Sequence, residues 1–333
     1  MKKPPVPTTR SNVIDDLRGI AILVMILIHT NAYFLHIKLA YLTLEISQFA
    51  VPVFIFCSAY LSFRKKMELD RQSLVPYVKK RFMRLLQPYY LFLVVHFIFT
   101  LIAEPKKMTS SYVLNNIFLT GGLDFNWLVL LFIQFTFLIP FLVWLRDNNK
   151  RMFYLYTAIS AASTLVFLRY TPLPYYRAIM WLPWSLLIVF TMEYVEAEAN
   201  GVWQSTTATL ALILYGLTRF YQTATGHSLF HYSNKYPPNM YHLSYGIVCI
   251  LLLVFLSKKN VFAWQPLRWL IHFLSVYSYS IYFFHILVIF TVTVFLKMRF
   301  TWISFFLTVT LLTLVVQMMS NGLMSLLKPK PVE

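Results

Sequence analysis

Residues 18–37 read RGIAILVMILIHTNAYFLHI. A helix crosses the bilayer core with about 20 predominantly apolar residues, and this run has that length with Arg18 as its only fixed charge. Polar His29, Thr30 and Asn31 follow its apolar centre and no small-residue cleavage site does, so it is not a signal peptide and should persist as helix one. Nine similar runs lie downstream, near 42–63, 85–103, 126–145, 152–169, 178–195, 202–220, 241–257, 275–296 and 301–324. Pro172, Pro174 and Pro183 interrupt the pattern around the fifth to seventh runs. Composition agrees: of 333 residues, 59% are hydrophobic and 12% charged, against roughly a quarter charged in a soluble domain. A water-soluble globule is excluded. The expectation is an all-α polytopic membrane helix bundle of about ten transmembrane helices, one domain over residues 1–333. A short basic segment, 1–17, precedes it and a short tail, 325–333, ends it.

The formal net charge is +17, from 29 Lys and Arg against 12 Asp and Glu. In a soluble chain that excess would suggest nucleic acid. Here the bases concentrate in alternate gaps: Lys2, Lys3, Arg10 and Arg18, then the segment 64–84, then Arg146, Lys150 and Arg151, then Lys258, Lys259 and Arg268, and last Lys328 and Lys330. Cytoplasmic loops retain Lys and Arg in this pattern during insertion. The partner expected from charge is therefore the lipid bilayer, not nucleic acid, with both termini cytoplasmic. Cys57 and Cys249 both lie inside apolar runs and build neither a disulfide framework nor a metal knuckle, so no metal is expected.

An ionisable residue at the centre of a membrane helix costs roughly 2.5–3.5 kcal/mol on insertion scales and needs a partner, a cavity or a function. Arg18 and His29 are eleven residues apart, about 16 Å and close to three turns, and so share a face. That face would line a path inward from the cytoplasmic boundary; the plainer alternative is a snorkelling Arg18 and a packed His29. Helix two offers Glu45 and Gln48 on one side, then Pro52 and Cys57. Glu45 is a candidate to orient or charge an imidazole, or an ordinary carboxylate at a helix start.

Arg81 and Arg84, at i and i+3 where helix three should open, would together favour an anion such as phosphate, or would anchor the helix at lipid headgroups. Lys79 and Lys80 fit anchoring alone. Ser278, Tyr282 and His285 follow i, i+4, i+7 in YSYSIYFFH. They form a polar stripe facing the bundle interior, either a site wall or a hydrogen-bonded seam. His36, His227, His231, His242, His272 and His96 lie in loops, at span ends or alone.

Taken in order, DLRGIA leading to His29, the Arg81-x-x-Arg84 pair, WLVLLFIQFTFLIP from Trp127 to Pro140, YPPN at 236–239 and YSYSIYFFH ending at His285 make the chain resemble the acyltransferase 3 family of polytopic membrane acyltransferases. The resemblance runs from about residue 10 to 320. One departure is Ser58-Ala59-Tyr60, where the family usually has Ser-Gly-Tyr. The resemblance implies transfer of an acyl group, usually acetyl, from cytoplasmic acyl-CoA to a glycan or other hydroxyl-bearing acceptor in a bacterial plasma membrane. Acyl-CoA would be a co-substrate, with no permanently bound cofactor. His29 then matches the essential first-helix histidine, Arg18 its companion, and Arg81 and Arg84 the donor-binding pair.

The chemistry is compatible with that implication. Phosphates of acyl-CoA cannot enter hydrocarbon, so cationic forks at the cytoplasmic face would hold them while the thioester arm reaches inward. His29 would be the general base on the acceptor hydroxyl, or would briefly accept the acyl group itself. Glu45 joins His29 as a catalytic candidate, and Trp127, Ser278, Tyr282 and His285 are candidates for the acceptor-side wall. The competing class is a carrier or flippase that moves a polysaccharide or lipid-linked sugar through the same polar interior with no covalent step.

Overall fold

The computed structural model describes residues 12–64, 69–171, 175–297 and 299–327, with the backbone alone for Met324. Lys2, Lys3, Arg10, Lys65, Lys66, Pro172, Pro174, Lys328 and Lys330 lie outside the described residues. The protein is all-helical, 82% helix with no strand among the described residues. Lipid demands this, since a backbone in hydrocarbon must satisfy its own hydrogen bonds.

In chain order the helices are α1 (Asn12–Asn31), α2 (Lys38–Ile46), α3 (Ala50–Arg64), α4 (Arg71–Ala103), α5 (Ser110–Ile117), α6 (Asn126–Asn148), α7 (Lys150–Val166), α8 (Tyr176–Ile179), α9 (Trp181–Glu196), α10 (Gly201–Ala224), α11 (Met240–Lys258), α12 (Gln265–Val276), α13 (Ser278–Phe290) and α14 (Trp302–Leu327). Each of the ten apolar runs falls largely on helix, although the first leaves it after Asn31. Seven helices are long and apolar enough to cross a membrane: Lys38–Arg64, Arg71–Ala103, Asn126–Asn148, Tyr176–Glu196, Met240–Lys258, Ser278–Phe295 and Trp302–Leu323. The runs on α1, α7 and α10 fall outside that set. In α1, Asp15, Asp16 and Arg18 charge the opening turns; α7 is only 17 residues long.

Several helix boundaries differ from expectation, three of them for a clear local reason. Helix α4 starts at Arg71, where Asp70 caps it by accepting the N–H of Ser73 at 3.2 Å. The basic segment thus continues the membrane helix, and Arg81 and Arg84 sit within it, so its dipole gives them no anion-attracting end. The second run begins at Lys38 and bends through a 3-10 turn at Ser47–Phe49, which places Glu45 at the end of α2, not at a helix start. The run 275–296 is divided, with Ser275 closing α12 and Ser278 opening α13 across Tyr277.

Helix α1 is the hub, packed against α3, α11, α12, α13 and α14. Leu17, Ala21, Ile22 and Ile26 are fully buried along it. Gly19 permits the tightest approach: a Cβ there would lie 2.2 Å from the carbonyl oxygen of Ile271 in α12. Two acids complete the clamp. Ser275 Oγ donates to Asp15 Oδ1 at 2.9 Å, and Ser257 Oγ donates to Asp16 Oδ2 at 2.5 Å. Leu91, Ile98, Leu101 and Ile102 on α4 and Leu307, Leu311 and Leu323 on α14 are exposed, the surface lipid would cover.

Candidate functional site

The last turn of α1 and the middle of α13 bring together two histidines from opposite ends of the sequence. His29 Nδ1 lies 2.7 Å from His285 Nε2, with ring centroids 5.0 Å apart and planes within 15°. Their meeting follows from the packing of α13 against α1. The second ring nitrogen of His285, Nδ1, is 2.9 Å from the carbonyl oxygen of Ile281, one turn back on its own helix. His285 is fully buried, whereas His29 is only partly so.

Of the rest of the polar stripe on α13, Tyr282 joins a seam with the neighbouring Tyr279 and Ser280. Tyr282 Oη donates to the carbonyl of Phe125 at 2.9 Å, Tyr279 Oη to that of Leu85 at 2.6 Å, and Ser280 Oγ to Gln317 Oε1 at 2.5 Å. These bonds tie α13 to α4, to α14 and to the residue that precedes α6. Ser278 has no hydrogen-bond partner among the described residues. Seam and site therefore share one helix, with His285 as the member that reaches another titratable group.

Arg18, Arg81 and Arg84 form a second group. Arg84 lies within electrostatic reach of both Arg18 and Arg81. Arg81 is held by hydroxyls: Nη2 donates to Ser58 Oγ at 2.8 Å, and Nη1 to Ser62 Oγ and Tyr77 Oη, both at 3.0 Å. Arg18 and Arg84 have no hydrogen bond or ion pair among the described residues, and the acids nearest Arg18 in sequence are turned toward Ser275 and Ser257. Like charges gathered in this way suit a polyanion. The Ser58-Ala59-Tyr60 segment serves the same end of the bundle, since Tyr60 Oη donates to Glu198 Oε1 and accepts from Arg64, both at 2.7 Å.

Glu45 does not reach the His29 ring nitrogens. Both its carboxylate oxygens accept the backbone N–H of His231, at 3.0 and 3.1 Å. Beside it lies Lys235, which sequence reasoning passed over. Lys235 is buried, donates to Gln48 Oε1 at 2.9 Å and sits 4.6 and 5.1 Å from the Tyr232 and Tyr236 ring centroids. Burial pushes its ammonium pKa down to about 7 against the attraction of Glu45. Burial, with help from the Arg219 charge, likewise pushes His231 down to about 4. Both nitrogens of buried His242 lack partners among the described residues. The charge of Lys235 reaches His242 and also His29. Trp127 belongs to this group, its ring edge-on to Tyr236 at 5.0 Å. The burial of Lys235 arises from tertiary packing.

Cys57 is buried, with its thiol 3.9 Å from the Ile14 carbonyl oxygen, as packing requires. No group of three or more metal-ligating side chains occurs among the described residues.

A helical bundle with buried polar side chains, an imidazole pair between α1 and α13 and a group of guanidinium charges from α1 and α4 defines a membrane protein built for chemistry or passage. The family comparison identifies the class: a family model described as an acyltransferase domain, that of acyltransferase 3, matches residues 12–319. The chain belongs to that family, nearly over its whole length, and is a multi-pass membrane acyltransferase by that membership. Comparisons with curated proteins and with solved structures found no match.

Proposed function

We propose that this chain transfers an acetyl group from cytoplasmic acyl-CoA to a hydroxyl of a cell-envelope glycan, in the plasma membrane of a bacterium, with His29 as general base. The observation that carries the reading is a partly accessible imidazole, paired with the buried His285, on the same helix as Arg18, with Arg84 and Arg81 supplying further positive charge nearby. The guanidinium groups would hold the donor's phosphates and the thioester arm would extend along α1 toward His29. Attack of the acceptor oxygen on the thioester carbonyl would pass its proton to His29, and collapse of the tetrahedral intermediate would expel the CoA thiolate. The thiolate then takes that proton, returning His29 to its starting state.

Ten spans with both ends cytoplasmic belong to the same proposal. Helices α1, α7 and α10 supply the three spans beyond the seven that length and composition support. Enclosure of α1 by α3, α11, α12, α13 and α14 favours counting it, since a packed interior tolerates its charged opening turns.

The test is acceptor-dependent release of CoA by purified protein in lipid nanodiscs, paired with mass spectrometry of ester-linked acetyl groups on envelope polysaccharide from cells with and without the gene. Acetyl loss in the deletion strain and CoA release in vitro are expected. Transport of a glycan with no CoA release would favour the carrier reading instead.

A further inference from the structure

We infer that His285 is a positioning residue that fixes the tautomer of His29, leaving Nε2 of His29 as the unprotonated, proton-accepting nitrogen; this rests on the proposed role of His29 as base. A carbonyl oxygen can only accept a hydrogen bond, so the 2.9 Å contact between His285 Nδ1 and Ile281 O places a proton on Nδ1. Neutral His285 then carries none on Nε2. That bare nitrogen lies 2.7 Å from His29 Nδ1, a distance that two bare nitrogens would not hold, so His29 donates through Nδ1–H. In neutral His29 the lone pair is then on Nε2, which has no hydrogen-bond partner among the described residues.

A backbone carbonyl thus dictates, through one imidazole, which nitrogen of the next is basic. Hydrogen bonds made by one ring nitrogen commonly set the role of the other. When Nε2 takes the acceptor proton, positive charge spreads over the His29 ring and strengthens the Nδ1–H bond to His285. His285 is well suited to this task because it is neutral: it stabilises the imidazolium without placing a second fixed charge in the apolar interior, as a carboxylate would. Its contact with the Tyr282 ring, at 6.0 Å between centroids, and its complete burial hold the ring in place.

The decisive experiment combines a tautomer measurement with turnover. Wild-type protein labelled with 15N-histidine in nanodiscs, with the His29 signals identified by their loss in His29→Gln, should show protonated Nδ1 and bare Nε2 on His29 at a pH where the ring is neutral. The opposite tautomer, or a mixture of the two, overturns the inference whether or not acyl transfer occurs. For turnover, His285→Leu removes the acceptor, and kcat per folded molecule should fall about a hundredfold or more with donor KM within about twofold, since a wrong tautomer disables a base. His285→Gln, whose amide oxygen can accept from His29 Nδ1–H, should recover a large share of that loss. Wild-type kcat in folded His285→Leu, or Gln no better than Leu, reduces His285 to packing. Should His285→Leu not fold, the wild-type tautomer and the Gln variant still decide. Failure of the base proposal looks different: His29→Gln would turn over normally while the His29 tautomer remained as described.

Discussion

Arg81 Nη2 donates to Ser58 Oγ at 2.8 Å, while Arg84, one turn further along the same helix, has no side-chain partner among the described residues. The pair is therefore not two equal cations. Arg81 spends its fork joining α4 to α3 through Ser58 and Ser62, while Arg84 makes no such bond among the described residues.

The two arginines should accordingly separate in mutagenesis. Arg84→Ala should raise the donor's KM strongly, as loss of a charge-assisted phosphate contact costs about 1.5–3 kcal/mol, with little change in folded yield. Arg81→Ala should lower both donor affinity and thermal stability, because three hydroxyl acceptors lose their donor. Lys79→Ala should do neither. Donor KM and melting temperature in detergent check all three, and an unchanged KM in Arg84→Ala would remove it from the donor site.

Much of this arrangement was legible in the chain. Lipid solvation makes an apolar run of span length stand out, so the runs lie largely on helix and seven helices are long and apolar enough to span, and an eleven-residue interval puts Arg18 and His29 on one face of α1. Boundaries were less legible. A basic segment such as 71–84 has ordinary helix formers, and nothing local distinguishes a loop from a helix that protrudes beyond the bilayer. Pairings across the sequence were least legible: His29 and His285 are 256 positions apart, and only the packing of α13 on α1 decides that they touch. Lys235 was missed for a related reason, since lysine is seldom buried without a partner.

Lys235 yields a prediction about pH and stability. Its pKa falls from an ordinary 10.5 to about 7 on folding, so between those values the unfolded chain binds a proton that the folded chain does not. Stability should therefore rise with pH from about 7 to 10.5 and be lost as pH falls toward 7, with a slope of at most about 1.4 kcal/mol per pH unit. Glu45, His29, His242, Tyr232 and Tyr236 surround it and contribute their own terms. Only the component absent from Lys235→Met belongs to the lysine. Melting temperatures at pH 6.5 and 9, about those values being convenient, should differ more in wild type than in Lys235→Met; equal differences would place the ammonium in water.

Gly19 predicts a steric effect. In Gly19→Ala the new methyl meets the backbone of α12 at Ile271, which cannot rotate away, so destabilisation at the upper end of about 1–3 kcal/mol is expected. Gly216 in α10 has open space around it, and Gly216→Ala should be neutral or stabilising by about 0.5–1 kcal/mol. Size-exclusion profiles after heating would compare them. Equal tolerance at both positions would show that α1 and α12 separate more easily than their packing implies.

The sharpest division between chemistry and packing lies at His29. A glutamine there keeps comparable size and can still donate to His285 Nε2 through its amide, yet it cannot accept a proton near neutral pH. If His29 is the base, His29→Gln should insert, accumulate and bind acyl-CoA as wild type does, while acyl transfer falls roughly a hundredfold or more. If the ring only completes a buried contact, Gln should be active, and Leu should chiefly reduce abundance by leaving His285 Nε2 without a donor. The measurement is acyl transfer per molecule of folded protein, with donor binding measured separately so that a lost site is not mistaken for a lost base. Near-wild-type turnover in His29→Gln would move proton transfer away from position 29, to His285 as the imidazole beside it.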